Sequence, residues 1–221
     1  MLTSARKGIP STQMARELGV TQKTAWFLAQ RIREAWLKDQ NGNDMGDHTQ
    51  ADETFVGGKE KNKHASKKLH AGRGTVGKTA VIGIRDQNNQ VRAMVVKVAN
   101  GPTLKKFVAD NAPDGATVVT DMHKRYDGLA AHGYIHKRVN HSVDKYVRDM
   151  AHTNGIESFW ALLKRGHYGI YHYMSAKHLH RDVNEFSFRQ NTSRAGTMQF
   201  INMTIDRMVF KHLTYEELIR G

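Results

Sequence analysis

Apolar and polar residues follow two different rhythms along this chain, and the change falls near residue 45. Residues 11–36, STQMARELGVTQKTAWFLAQRIREAW, carry apolar positions at helical spacing. They predict a short amphipathic helix, a turn at Leu18-Gly19-Val20, and a longer second helix whose stripe is Ala25, Leu28, Ala29, Ile32 and Trp36. Thr21 is placed to cap that second helix, because its hydroxyl can accept from an N–H that has no helical partner. Residues 39–50, DQNGNDMGDHTQ, are polar and aperiodic and predict a linker. Beyond it the pattern becomes short and β-rich. Residues 51–56 read as a strand ending at Gly57-Gly58, and AVIGI (80–84) and VRAMVVKV (91–98) as an antiparallel hairpin turned by RDQNNQ. TLKKFVAD (103–110) predicts a helix, and GATVVTD (115–121) a buried strand closing on Asp121. A further helix is expected before the strand YIHKRV (134–139), and amphipathic helices over 154–165 and 175–189. The order predicts an α/β fold with a mixed sheet flanked by helices.

Composition narrows the class. The chain has 221 residues, 39% of them hydrophobic, with three prolines and no cysteine, so a packed core is expected and disulfide or thiolate zinc sites are excluded. No apolar leader stands at the N-terminus, and no run reaches the roughly 18 apolar residues of a membrane span. The expectation is a soluble, cytoplasmic protein without a membrane partner. The formal net charge is +13, which favours a polyanionic partner, chiefly nucleic acid. Lys59, Lys61, Lys63, Lys67, Lys68, Arg73 and Lys78 face only Glu60 in one segment, which reads either as a solvated loop or as a phosphate-contacting one. The N-terminal pair of helices has helix-turn-helix grammar. In that reading Gln22, Lys23 and Thr24 reach base edges from the start of the second helix; the plainer reading is a helical hairpin.

Three acids stand out by placement. Asp52 lies in the first strand, Asp121 ends a buried strand ahead of the basic turn MHKRY, and Glu157 lies in the helix NGIESFWALLKR. On that helix Asn154, Glu157, Ala161 and Lys164 share a stripe beside the core positions Ile156, Phe159, Trp160 and Leu163. Trp160 is either core or a residue that packs on a base. Glu53 should point to the opposite face from Asp52, because strand side chains alternate. Carboxylates converging from two strands and a helix suit Mg²⁺, with Mn²⁺ as its substitute, in phosphoryl transfer. Taken singly, each acid is more simply a surface or ion-pairing residue. Lys124 and Arg125 after Asp121 could grip a phosphate backbone. The 13 histidines are scattered, with no HExxH, and neither a P-loop nor G-x-G-x-x-G occurs, so ATP and NAD are not implied.

The segments ADETFVGGKEKNKH, TDMHKRYDGL, HTNGIESFWALLKRGHYGIYHYMSAKHLHRDVNEFSFRQN and ARELGVTQKTAWFLAQRIREAW together resemble bacterial insertion-sequence transposases of the ISXO type. The resemblance runs from about residue 10 to 190 and more weakly through LTYEEL. It implies a DDE-class enzyme with an RNase H-like catalytic domain. The corresponding partition is a helix-turn-helix DNA-binding segment over 1–45, the catalytic domain over 46–190 and a helical extension over 191–221. Carried over by position, Asp52 and Asp121 correspond to the first two metal-binding aspartates, Glu157 to the third acid, and Lys164 to the basic residue that follows it. Asn154 is the alternative in the third role. The family often opens with a cysteine-bound zinc ribbon, and this chain has no cysteine. The implied partners are element-end and target DNA, bound by a homo-oligomer. A non-catalytic DNA-binding regulator and an RNase H-type nuclease are the competing readings.

Overall fold

The computed structural model describes residues 7–37, 45–58, 60–69, 74–139, 153–209 and 211–220. Its helices and strands are α1 (Ser11–Leu18), α2 (Gln22–Ala35), β1 (His48–Val56), β2 (Thr79–Asp86), β3 (Val91–Val96), α3 (Gly101–Asn111), β4 (Thr117–Asp121), β5 (Ile135–Val139), α4 (Asn154–Gly166), α5 (Leu179–Asn191), α6 (Thr197–Met208) and α7 (Tyr215–Arg220). They fall into two compact units. One takes the described parts of Met1–Lys38 and Leu162–Gly221, the other those of Asp39–Ala161. Of the linker expected at 39–50, residues 39–44 lie outside the described residues, and 48–50 are the first residues of β1, paired with β2 and β4.

The second unit is a five-stranded mixed sheet of order β3-β2-β1-β4-β5. β1 pairs antiparallel with β2, and β2 with β3, while β1–β4 and β4–β5 are parallel. The β2–β3 turn is set by Asp86, whose Oδ1 accepts from the N–H groups of Asn88 and Gln90 at 2.9 and 2.8 Å. Asn100 caps α3 by accepting from Thr103 N–H at 3.0 Å, and Pro102 follows in the first turn, where its missing N–H costs nothing. Leu104, Phe107 and Val108 of α3 then pack on Ala51, Ile82, Ile84 and Val118 of the sheet. The helix expected between β4 and β5 is instead two single 3₁₀ turns, Lys124–Tyr126 and Ala130–His132. Gly128 and Gly133, at φ +93° and +86°, interrupt helical geometry on either side of the second turn. The other face of the sheet meets α4, whose Ile156 and Trp160 reach Gly83.

In the first unit α2, α5 and α6 meet through aromatic and ionic contacts. Trp36 stacks on Phe188 with ring centres 5.0 Å apart, and Phe200 meets both rings edge-on. Thr21 caps α2 as expected, accepting from Thr24 N–H at 3.2 Å. Arg33 donates to Glu185 at 2.7 Å and pairs with Asp182 at 3.1 Å, while Arg189 and Tyr171 also donate to Glu185. Burial pushes the Glu185 carboxyl up, but Arg33 and Arg189 more than offset this and hold it below its ordinary value. Asp182 has weaker compensation, and burial raises it to about 6. Removing one partner of such a cluster leaves an uncompensated buried charge. Arg33→Met should therefore lose on the order of 3–5 kcal/mol in urea denaturation; a loss under about 1 kcal/mol would show that the cluster does not hold these helices together.

Candidate active site

Asp52 lies in β1, the middle strand, directly opposite Gly83 of β2. Contacts show which way each neighbour points. Ala51 and Phe55 belong to the core packed under α3, and on that face Glu53 accepts from Arg125 Nη1 at 2.8 Å and from Tyr126 Oη at 2.9 Å. Asp52 points the other way, toward α4, as the two-residue period of a strand requires. There the Trp160 Nε1–H donates to its Oδ2 at 3.0 Å. On the parallel neighbour, Gln50 is level with Val119, and two residues further along the two strands come Asp52 and Asp121. Asp121 closes β4, and its Oδ1 accepts from His123 N–H at 2.9 Å as the chain turns away. Burial pushes the Asp52 carboxyl up to about 7, with the charges of Glu53 and Asp121 adding to the effect.

The first turn of α4 is pinned to the same face. Gln50 Oε1 accepts from Ile156 N–H at 3.0 Å, and Arg85 donates to the Gly155 carbonyl and, at 2.8 Å, to Ser158 Oγ. Sequence reasoning missed both anchors. Gln50 carried a legible signal, two positions before Asp52 on one strand face; Arg85 carried none and was expected in the hairpin turn. Glu157 and Asn154 are exposed on this turn, and Glu157 Oε1 accepts from Thr153 Oγ1 at 2.8 Å. Lys164 is exposed further along the same helix. Among the described residues no group of three or more His, Asp or Glu side chains is placed to hold a metal ion. The structure thus gathers Asp52 with Asp121 and leaves Glu157 outside the pair. The pair still fits a hard divalent cation: both members offer carboxylate oxygens on one sheet face, and a cation there would offset what burial and like charge cost Asp52.

The family profile of the ISXO2-like transposase domain matches residues 44–191, two thirds of the chain. The chain belongs to the ISXO2-like transposase family. No curated protein matches it. The matched span runs from just before β1 to the end of α5, so the transposase domain holds Asp52, Asp121, Asn154, Glu157 and Lys164. Family membership implies DNA as partner, and DDE transposases generally use a divalent metal. No helix among the described residues is long and apolar enough to cross a membrane.

The basic candidates separate by their contacts. Arg125 is committed to Glu53, and Lys63 pairs with Glu60 at 2.6 Å. Lys67 and Lys124 are exposed and Lys68 is half-buried. Lys59, Arg73 and the side chain of Lys61 lie outside the described residues. At the start of α2, Gln22, Lys23 and Thr24 are all exposed. Within the helical unit Gln22 donates to Ser11 Oγ at 2.8 Å, Lys23 Nζ lies 4.7 Å from the centre of the Tyr215 ring, and Thr24 serves the Thr21 cap.

Asp52 ionises near 7 in the fold but at about 3.9 in an unfolded chain. Between these values the folded state binds more protons, so stability falls as pH rises from about 4 to about 7 and stays lower above. Asp52→Asn keeps an acceptor for Trp160 and removes the charge. In metal-free buffer it should raise Tm at about pH 8, with a stability gain of at most about 4 kcal/mol, since one pKa unit is worth about 1.4 kcal/mol, and leave Tm unchanged near pH 4. Thermal melts over that range check this; equal melting of the two proteins at about pH 8 would contradict it.

Proposed function

We propose that this transposase cuts and joins DNA strands at the ends of its element, on an RNase H-like sheet that carries Asp52 and Asp121 as metal ligands. The observation that supports this best is the pair itself: two carboxylates on one face of adjacent parallel strands, one of them buried at an energetic cost that packing alone does not explain. The sheet order and strand polarity are compatible with an RNase H-like fold. A divalent cation, Mg²⁺ or Mn²⁺, supplies Lewis-acid chemistry to attacking and leaving oxygens when bound there. The chain's own residues do the rest. Asp52 and Asp121 supply oxygen ligands from rigid strands, and Glu157, with Asn154 as the alternative, supplies the third from the first turn of α4. Lys164, on the same helix, neutralises a strand phosphate. Lys59, Lys61, Lys63, Lys67, Lys68, Lys124 and Arg125 belong to the backbone-contacting surface, and Gln22, Lys23 and Thr24 to recognition of element ends by a helix-turn-helix. Arg125 is the weakest of these, since Glu53 already holds it. The protein works in the cytoplasm as a homo-oligomer on paired ends.

A non-catalytic DNA-binding regulator would have no use for the buried Asp52 and its neighbour. An RNase H-type nuclease would use them but would act on RNA–DNA hybrids without joining strands. Purified protein, terminal-repeat DNA and Mg²⁺ should give strand cleavage and transfer. Asp52→Asn and Asp121→Asn should each abolish both while leaving DNA affinity within about twofold, since phosphate contacts carry binding. Loss of cleavage in Glu157→Gln, with Asn154→Ala active, assigns the third ligand to Glu157, and the reverse assigns it to Asn154. Wild-type cleavage by Asp52→Asn and Asp121→Asn would refute the proposal.

A further inference from the structure

Gly83 stands inside a strand that is otherwise β-branched or apolar around it, TAVIGIRD, where glycine weakens the strand. Its φ is not in the positive range that favours glycine, so backbone conformation does not call for it. Space does. A Cβ at this position would stand 2.6 Å from Trp160 Cη2, 2.9 Å from Cζ2 and 3.3 Å from Ile156 Cδ1. The far edge of the indole therefore occupies the space a side chain would take at residue 83, which is also the cross-strand partner of Asp52. From that slot Nε1–H reaches Asp52 Oδ2 at 3.0 Å, and the ring is 4% exposed.

We infer that Trp160, seated on Gly83, is a positioning residue that sets the orientation of the Asp52 carboxylate for its metal. This rests on the reading of Asp52 as a ligand. An aspartate on a strand is free to turn about two side-chain bonds, whereas a ligand set works only when its oxygens are held to within about half an ångström. The indole N–H is a donor only, on a rigid ring with two torsions, so a ring locked by packing fixes the direction of its hydrogen bond. That bond holds Oδ2, and a backbone hydrogen bond from Glu53 also reaches the carboxylate, so the indole is the side-chain group that limits how the carboxylate can turn. Groups that orient ligands in this way typically change metal affinity by about 10–100-fold when removed. A simpler role for Trp160, filling space between α4 and the sheet, requires no acceptor on a metal ligand and makes a different prediction.

The test is Mn²⁺ binding to the full-length protein, read by electron paramagnetic resonance of the free ion, together with urea denaturation without metal. Trp160→Phe keeps an aromatic ring and deletes the N–H; it should weaken Mn²⁺ binding by about 10–100-fold. Gly83→Ala should weaken it comparably in the wild-type background, because the ring is displaced. In the Trp160→Phe background Gly83→Ala should cost nothing more, since Phe has no atoms at Cζ2 and Cη2 of the indole. A Trp160→Phe protein that is less stable but binds Mn²⁺ as wild type does overturns the inference and leaves a packing role. Equal losses from Gly83→Ala in both backgrounds overturn the slot. Should Trp160→Phe fail to fold, Gly83→Ala alone decides: folded with weakened binding it supports the inference, folded with unchanged binding it refutes it. Asp52→Asn serves as the reference. If it binds Mn²⁺ like wild type, the ligand assignment fails before the positioning role is at issue, and a wild-type protein that binds none counts against both.

Discussion

The parallel pairing of β1 with β4 is the constraint on which the rest of the site depends. β1 runs down the middle of the sheet, with an antiparallel hairpin on one side and the parallel strands on the other. Parallel neighbours cannot be joined by a tight turn, so β2, β3 and α3 come between them in sequence. The register of that pairing puts Val119 level with Gln50, and the alternation of strand side chains carries Asp121 and Asp52 to the same face. A slip of one residue on either strand would send one carboxylate under α3, where Glu53 already occupies Arg125 and Tyr126. Glu53 is thus a register marker as much as a structural ion pair.

The face so defined is expensive to maintain. Asp52 is pushed up to about 7 by burial, and its neighbours Glu53 and Asp121 add to the cost. α4 is tied to this face by Gln50 and Arg85 as well as through Asp52 itself. Gln50 and Arg85 engage its first turn, and Trp160 lies over Gly83 with its N–H on Asp52. The cost falls on one carboxylate, and the contacts around it keep that carboxylate on a rigid strand.

Charge is handled differently in the helical unit. Arg33, Arg189, Asp182 and Glu185 are all buried, yet they are matched to one another across α2 and α5. Tyr171 supplies a further donor to Glu185. Burying matched charges contributes little net stability but penalises every packing that separates them, so the cluster specifies how these helices meet. The same residues could not be told from solvent-facing charges by their types alone.

Local pattern was enough for most of the elements. The β-branched runs at 80–84 and 115–121, the hairpin, the cap at Thr21 and the helices from 103 and 154 all follow from periodicities that one segment carries by itself. Asp52 and Asp121 were legible as candidates because an acid at a strand's interior or end breaks such a pattern, and the ISXO-type motifs marked the same positions. The helix expected before β5 failed for a local reason as well, two glycines in left-handed conformation that the apolar spacing does not register. What only the tertiary structure decided is long-range. A bond between residues 160 and 52, a glycine at 83 that makes room for it, and a compact unit assembled from both ends of the chain depend on strand order and register, and these are set by pairings between segments far apart in sequence. Periodicity reports which way a residue faces; only the packed sheet decides what it faces.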